Sequence, residues 1–154
     1  MKKQAIQDSN PEYVSNCFGC GKNNEHGLQI KSYWEADEVV CTWMPKDYHL
    51  GGNGFLNGGI MATLIDCHCM NTAGAFLSRV ESTEEMRTGS FATGTLTVKF
   101  LRPTPMDQPL ILRARVTDMK EKKIIITCSV FSGEDECAHG EVIAIRIPEG
   151  YWKE

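Results

Sequence analysis

The sequence predicts an α+β fold in which a curved antiparallel β-sheet wraps around one long central helix. Three observations lead to this prediction. Residues 57–78 form a helical run that is apolar on all sides, short strand patterns precede it, and about four alternating strands follow it. Because a helix that is apolar all round must be covered all round, we expect the strands to curl around it.

The chain has 154 residues, which is enough for one domain with a buried core. We expect residues 1–16, which are polar, to form an irregular N-terminal segment. Residues 17–148 are expected to form the single domain, and residues 149–154 a C-terminal tail. The sequence has no internal repeat and no low-complexity segment that would suggest another division.

The first half of the domain reads as two strands and a loop. The strands are expected at residues 28–35 and 38–44, with Ala36-Asp37 at the turn between them. Residues 49–56 are rich in Gly and Asn and form a loop that leads into the helix. The helix is expected to end near Arg79, where a charged connection begins.

After this connection, apolar and polar residues alternate with the period of two that is typical of half-buried antiparallel strands. The pattern covers residues 92–102, 109–118, 122–132 and 137–147, with a tight turn at Lys120-Glu-Lys. In the first of these strands, one face carries Leu96, Val98 and Phe100, and the other carries Thr95, Thr97 and Lys99. One sheet can curl around most of a helix, which predicts a hot-dog fold. The side of the helix that the sheet leaves open needs a second subunit, so the sequence also predicts an obligate oligomer.

Asp66 is the only formally charged residue between Asp47 and Arg79, and it lies in the middle of the apolar helical run. Asp is unfavourable inside a helix because its side chain competes for backbone hydrogen bonds. An unpaired carboxylate also costs several kcal/mol to bury. A chain that accepts both costs is expected to use the carboxylate, although a core Asp held by buried hydrogen bonds would fit the same pattern.

Composition excludes several classes of function. The net charge of −4 argues against a nucleic-acid binder, whose usual mark is a basic face. Asp66, His68 and Asn71 are wrong for a lipid-facing helix, so no membrane contact is expected. Seven scattered cysteines and the lack of an apolar stretch after Met-Lys-Lys-Gln predict reduced thiols and a cytoplasmic location.

Three stretches of the sequence carry a family resemblance that runs from about residue 17 to residue 148. Asn57-Gly-Gly-Ile-Met-Ala-Thr-Leu-Ile-Asp66 resembles the His-Gly-Gly…Asp signature of hot-dog acyl-CoA thioesterases of the phenylacetic-acid-degradation, 4-hydroxybenzoyl-CoA thioesterase-like type. Thr97-Val-Lys-Phe-Leu-Arg-Pro-Thr-Pro105 is similar to the strand and Pro turn of that family. The opening Cys17-Phe-Gly-Cys-Gly, with His26-Gly-Leu-Gln-Ile30, is similar to its first segment.

The resemblance implies that the chain hydrolyses an acyl-CoA to a free acid and coenzyme A. It implies no cofactor, since coenzyme A is part of the substrate, and self-association as a homodimer or a dimer of dimers. Asp66 would be the general base or the nucleophile, with the general base favoured.

The chain departs from the family pattern at two positions. Asn57 stands where the family has His, and Gly51 stands where an upstream Asn often holds the thioester oxygen, so Asn53 is the candidate replacement. Thr93 stands at the position of a hydroxyl that helps to position water in relatives. By strand alternation, however, Thr93 falls on the same polar face as Thr95, which would make it an ordinary solvent-facing residue.

Thioester hydrolysis needs a donor for the developing oxyanion and a base for the water. The first N–H groups of a helix lack intrahelical partners and carry partial positive charge, so Gly58 and Gly59 are candidate donors. These glycines would equally serve a loop that turns into the helix. Eight residues along a helix span ~12 Å, so Gly58 and Asp66 of one chain cannot reach the same carbonyl. If both act, they come from two chains.

Further candidates are less specific. Phe55 and Met61 are expected to shape the acyl pocket. Arg79, Lys99 and Arg102 are candidates to bind the nucleotide phosphates of coenzyme A, although each of them could equally be an ordinary solvent-exposed residue. Cys17-x-x-Cys20 could be half of a zinc site, but no second pair of ligands follows at suitable spacing, so no metal is predicted.

Two other functions fit the sequence. The loss of the family's His and upstream Asn would suit a non-catalytic acyl-CoA binding protein. A hot-dog hydratase acting on an enoyl thioester would need an Asp/His pair, in which His49 or His68 would have to serve. The retention of Asp66 in an apolar helix favours an enzyme over a binding protein.

Overall fold

The computed structural model describes residues 2–151, and this part of the chain contains one α-helix and six strands. In chain order the elements are β1 Ser32–Glu35, β2 Glu38–Trp43, α1 Gly58–Val80, β3 Phe91–Phe100, β4 Leu110–Lys120, β5 Lys123–Ser132 and β6 Asp135–Arg146. The predicted α+β layout, with two strands, a long helix and four strands, is confirmed.

All neighbouring strands pair antiparallel, in the order β1-β2-β4-β5-β6-β3. The sheet packs one face against α1, chiefly through β3 to β6. On this face, alternate residues of β4, β5 and β6 are fully buried. These residues are Leu110, Leu112 and Ala114 from β4, Ile124, Ile126, Cys128 and Val130 from β5, and Ala138, Val142 and Ala144 from β6. β3 lies at one edge and pairs only with β6.

The helix follows from its sequence as expected. Asn57 caps its first turn, and the chain leaves the helix after Val80. Residues from every side of α1 are buried, among them Leu64, Ile65 and Cys69. Gly58–Val80 is long and apolar enough to cross a membrane, but 61% of an apolar 18-residue window within it lies inside the fold, as expected for a core helix.

The N-terminal residues differ from the expected irregular segment. Ile6–Ser9 and Glu12–Val14 form 3₁₀ turns, and Ile6 packs against Ala75 of α1 and Val39 of β2. The side chain of Asn10 donates to Asn71 of α1 over 2.8 Å. This segment therefore covers part of the helix surface that was expected to need a second subunit. The Ile and Asn side chains of this segment make their contacts with α1 and β2 only in the folded chain. The polar sequence therefore did not predict that the segment packs against the helix.

Other boundaries shift by a few residues. β1 begins at Ser32 rather than residue 28, because Gln29 has a positive φ of 55° and breaks the extended chain. The turns at Ala36-Asp37 and after Lys120 are confirmed by the pairs Glu35–Glu38 and Lys120–Lys123. Residues 152–154 of the predicted tail lie outside the described residues, and the division at residues 16 and 148 stays a prediction.

Candidate active site

Asp66 lies on the side of α1 that faces the edge of the sheet. Its carboxylate is half-buried, and the Thr93 hydroxyl donates a 2.8 Å hydrogen bond to Asp66 Oδ1. Thr93 belongs to β3, so the helix and the edge strand together fix the orientation of the acid. A carboxylate oriented in this way keeps its second oxygen available to a water molecule or a substrate.

A β-bulge places Thr93 on the inner face of the sheet. Thr93 pairs with Ala144 and Thr95 pairs with Ile143, so Gly94 is the extra residue on β3. Directly paired residues share a face, and Ala144 is fully buried against the helix. Simple alternation put Thr93 beside Thr95 on the outer face, and this interpretation was wrong because a bulge shifts the period by one residue.

A cavity of about 420 Å³ opens beside Asp66, and we call it the Asp66 cavity. The wall opposite the sheet comes from the N-terminal segment. The cavity is lined by Asn10, Tyr13, Val14 and Asn16 from this segment, by Cys17 and Cys20 just after it, by Asp66, Cys67, Met70 and Asn71 from α1, and by Thr88, Phe91 and Thr93. The first four of these residues were not predicted from the sequence, because residues 1–16 were expected to be irregular. The apolar Ala5, Ile6 and Val14 within that polar stretch were the available signal.

The surroundings of Asp66 increase its basicity. Burial raises the pKa of Asp66 above its ordinary value of 3.8, the Thr93 hydrogen bond opposes this rise, and negative charge on Cys17 adds to it. A carboxylate whose proton affinity is raised in this way is a better base towards water than a solvated one.

The N-terminus of α1 forms a second centre. Asn57 Oδ1 accepts a 3.1 Å hydrogen bond from the Ile60 N–H, which is the geometry of a helix cap. The N–H groups of Gly58 and Gly59 have no acceptor within residues 2–151. The first turn therefore presents two free donors at the positive end of a 23-residue helix.

A cavity of about 400 Å³ lies at this end of the helix, and we call it the helix N-terminus cavity. Its lining is mostly apolar and comprises Phe55, Leu56, Gly58, Met61, Phe100, Leu101, Arg102, Pro103 and Thr104. A Cβ atom on Gly58 would meet only the Phe100 ring, at an ordinary 3.6 Å. The fold of this chain thus does not itself require glycine at position 58.

The two cavities share no lining residue. Gly58 and Asp66 are separated along the axis of the helix by the ~12 Å that eight residues span. Within one chain, Gly58 and the Asp66 carboxylate therefore lie at different cavities.

The structure places the three cations predicted to bind phosphate, and Asn53, in different parts of the fold. Arg102 lines the helix N-terminus cavity and pairs with Asp135 over 2.9 Å. Arg79 lies at the opposite end of α1, stacked 3.5 Å above the Trp34 ring, and does not reach either cavity. Lys99 lies opposite His139 of β6 in the strand register, on the outer face of the sheet. Asn53 lies in an exposed turn with a φ of 59°. Neither of these two lines a cavity at the candidate site.

Neither candidate histidine faces Asp66. His68 is fully buried, with Nδ1 2.8 Å from Ser32 Oγ and Nε2 2.9 Å from the Val39 carbonyl oxygen. Burial lowers the pKa of His68 to about 4, so the ring stays neutral. His49 Nδ1 accepts from the Lys46 N–H over 2.9 Å, and its ring packs against Trp43. The Asp/His pair required by a hydratase is therefore not assembled among these residues.

The sequence model of the Thioesterase superfamily matches residues 53–139, which is more than half of the chain. Acyl-coenzyme A thioesterase THEM4 from Xenopus laevis is 30% identical over 109 residues, which are 71% of this chain and 44% of that protein. The chain thus spans about half the length of the curated relatives it matches.

Solved structures show the same architecture. A Thioesterase superfamily protein from Shewanella loihica PV-4 is 31% identical, with a TM-score of 0.65, and the match covers 82% of this chain and 98% of that one. The PaaI protein from the phenylacetic acid degradation operon of E. coli is 18% identical, with a TM-score of 0.63, and the match covers 79% and 81% of the two chains. The hot-dog fold predicted from the sequence is confirmed.

Proposed function

This chain belongs to the thioesterase superfamily, and we propose that it hydrolyses an acyl-CoA thioester to a free acid and coenzyme A. The observation that carries the proposal is the half-buried Asp66 carboxylate, oriented by Thr93 at the wall of a cavity in a chain of this family. The cytoplasmic location and the absence of a nucleic-acid or membrane partner stay predictions.

In the proposed reaction Asp66 takes a proton from a water molecule, and the water oxygen attacks the thioester carbonyl. The tetrahedral intermediate then expels the coenzyme A thiolate, which gains the proton. Thr93 holds Asp66 Oδ1 and leaves Oδ2 for the water. Direct attack by Asp66 on the carbonyl remains the alternative, and we favour the base because the Thr93 hydrogen bond and the cavity leave room for water.

The oxyanion is proposed to bind the free N–H groups of Gly58 and Gly59, with Asn57 in the place of the family's His. A helix N-terminus stabilises negative charge without reorganisation at the moment of reaction. Since Gly58 lies at a different cavity from Asp66 of the same chain, the amides that serve Asp66 are proposed to come from the partner subunit. Phe55 and Met61 would then line the substrate path, and Arg102 is the remaining candidate for a coenzyme A phosphate.

The edge strand β3 supports a dimer that joins the two centres. Its outer edge has no neighbour within the described chain, and the inner-face residues Leu96 and Phe100 are 36% and 60% exposed. Thr93, at one end of β3, lies at the Asp66 cavity, and Phe100, at the other end, lies at the helix N-terminus cavity. Antiparallel pairing of β3 with the partner's β3 about Leu96 and Thr97 would set each Thr93 near the partner's Phe100, and would unite one cavity of each kind.

A non-catalytic acyl-CoA binding protein is the second candidate. It is favoured by Asn57, whose side-chain oxygen is engaged in capping the helix. The two functions differ in product: an enzyme releases free coenzyme A, whereas a binding protein retains the intact thioester.

A panel of acyl-CoA esters, followed by free-thiol release, tests the proposal with Asp66→Asn as the matched control. We expect turnover of at least one ester by the natural chain and a loss of kcat of ~10²–10⁴-fold in the variant, the usual worth of a positioned base. The variant should still bind the ester, since the amide keeps the acceptor for Thr93. Binding without turnover in the natural chain, or full turnover in Asp66→Asn, would contradict the assignment.

A further inference from the structure

The Asp66 cavity contains a cluster of three cysteines from two parts of the chain. Cys17 and Cys20 belong to the N-terminal loop, and Cys67 lies on α1 next to Asp66. Within residues 2–151, their three Sγ atoms lie within 4.8 Å of one another, and the Sγ atoms of Cys17 and Cys67 are 3.8 Å apart. The proposed hydrolysis uses none of these thiols, so the cluster needs an explanation of its own.

The loop is shaped to hold these sulfurs together. The Gly21 N–H donates to the Cys17 carbonyl oxygen over 2.8 Å and closes the turn Cys17-Phe-Gly-Cys-Gly. Gly19 faces the sulfur of Cys67, and a Cβ atom at this position would lie 2.3 Å from that sulfur. Glycine at position 19 therefore allows the loop to approach the helix closely enough for the third thiol to join the pair.

The thiolate is the form of cysteine that binds metals, so a cation at this cluster would be held by three thiolates from two parts of the chain.

We propose that Cys17, Cys20 and Cys67 form a binding site for a thiophilic divalent cation of the zinc type, with a fourth coordination position open to the Asp66 cavity. Binding would release the thiol protons to solvent, and the cation would neutralise the three thiolates, which would otherwise repel one another. Ligands at the zinc–sulfur distance of ~2.3 Å in a tetrahedron lie ~3.8 Å apart. The Cys17–Cys67 separation matches this value and is far from the length of a disulfide.

The sequence alone did not reveal this site. Cys17-x-x-Cys20 had no partner at the spacing of a known zinc motif, and Cys67 is separated from it by 46 residues. The packing of the N-terminal loop on α1 supplies the third ligand. A bound cation would tie this loop to the helix and so stabilise the wall of the Asp66 cavity.

Cobalt binding tests the proposal without reference to hydrolysis. The full chain, reduced, freed of metal and kept without oxygen, is titrated with Co²⁺. We expect a sulfur-to-cobalt charge-transfer band that saturates at one equivalent and is removed by added Zn²⁺, which binds thiolate sites more tightly. Cys17 is exposed, so Cys17→Ser should fold normally. Loss of a group that hydrogen-bonds to a metal ligand typically weakens metal binding ~10–100-fold, and we expect loss of the ligand itself to weaken cobalt binding by no less.

Cys67→Ser should have the same effect, while Cys137→Ser, which changes a buried thiol of β6 outside the cluster, should leave the titration unchanged. Absence of the band in the natural chain, or a band that survives in both Cys17→Ser and Cys67→Ser, would overturn the proposal. So would a Cys17–Cys67 disulfide in the isolated protein together with no cobalt band after its reduction, because that result identifies a redox pair.

Discussion

At the scale of single residues, the site rests on groups that are unfavourable for the fold. Burial raises the pKa of Asp66, so the ionised carboxylate destabilises the folded chain at pH values above that pKa. The penalty fades as the pH falls and the group takes up its proton. Asp66→Asn removes the charge and should therefore gain stability at neutral pH, a gain that shrinks as the pH falls through the pKa of Asp66. A residue that costs stability and is kept is expected to serve chemistry.

Asn57 caps the helix and is proposed to stand beside the oxyanion site, and the loss of each role would have a different cost. Asn57→Ala loses the cap and should lower stability by ~1 kcal/mol. Asn57→Asp keeps a good cap but places a negative charge where the oxyanion forms. We expect Asn57→Asp to leave the melting temperature unchanged and to lower kcat by ~10²-fold or more. Thermal unfolding and acyl-CoA turnover measured on both variants separate the roles, and full activity of Asn57→Asp would leave Asn57 with the cap alone.

At the scale of elements, the decisive feature is the bulge at Gly94 in β3. It turns Thr93 to the inner face, where its hydroxyl reaches Asp66, while Thr95 stays on the outer face. The same strand carries the free edge of the sheet. One irregular strand thus orients the acid and offers the surface proposed for dimerisation.

Thr93→Val tests this arrangement through pH dependence. The Thr93 hydrogen bond lowers the pKa of Asp66, so its loss should raise that pKa further. Because the base must be ionised to act, the acid limb of the pH profile of kcat/KM should move to higher pH. Thr95→Val is the matched control on the other face and should leave the profile unchanged. An unchanged acid limb in Thr93→Val would mean that the hydrogen bond does not tune the base.

At the scale of the whole molecule, the helix is covered from two directions and open in a third. The sheet packs on one side, the N-terminal segment covers part of the other, and β3 remains open at the edge. The proposed site is complete only when a second chain meets that edge. Catalysis and assembly would then depend on the same contact.

Mixing two inactive variants tests the shared site. Asp66→Asn lacks the base, and Gly58→Val places a side chain at the helix N-terminus. A heterodimer purified through two different tags would contain one site with both defects and one site with neither. We expect about half of the natural activity per heterodimer, since one of two symmetric sites is intact. A heterodimer as inactive as its parents, or a fully active monomer in sedimentation, would show that each chain works alone.

The sequence by itself determined the order of the elements and singled out Asp66 as the candidate base. Hydrophobic periodicity marks strands and a central helix, and a lone charge in an apolar run is visible without coordinates. It named Thr93 as a candidate, but strand alternation put Thr93 on the wrong face. It did not predict the packing of the N-terminal segment or the cluster of Cys17, Cys20 and Cys67. These depend on a bulge, on packing between distant segments and on a sulfur that lies 50 residues from Cys17. Local patterns report what each residue prefers, whereas only the folded chain decides which residues meet.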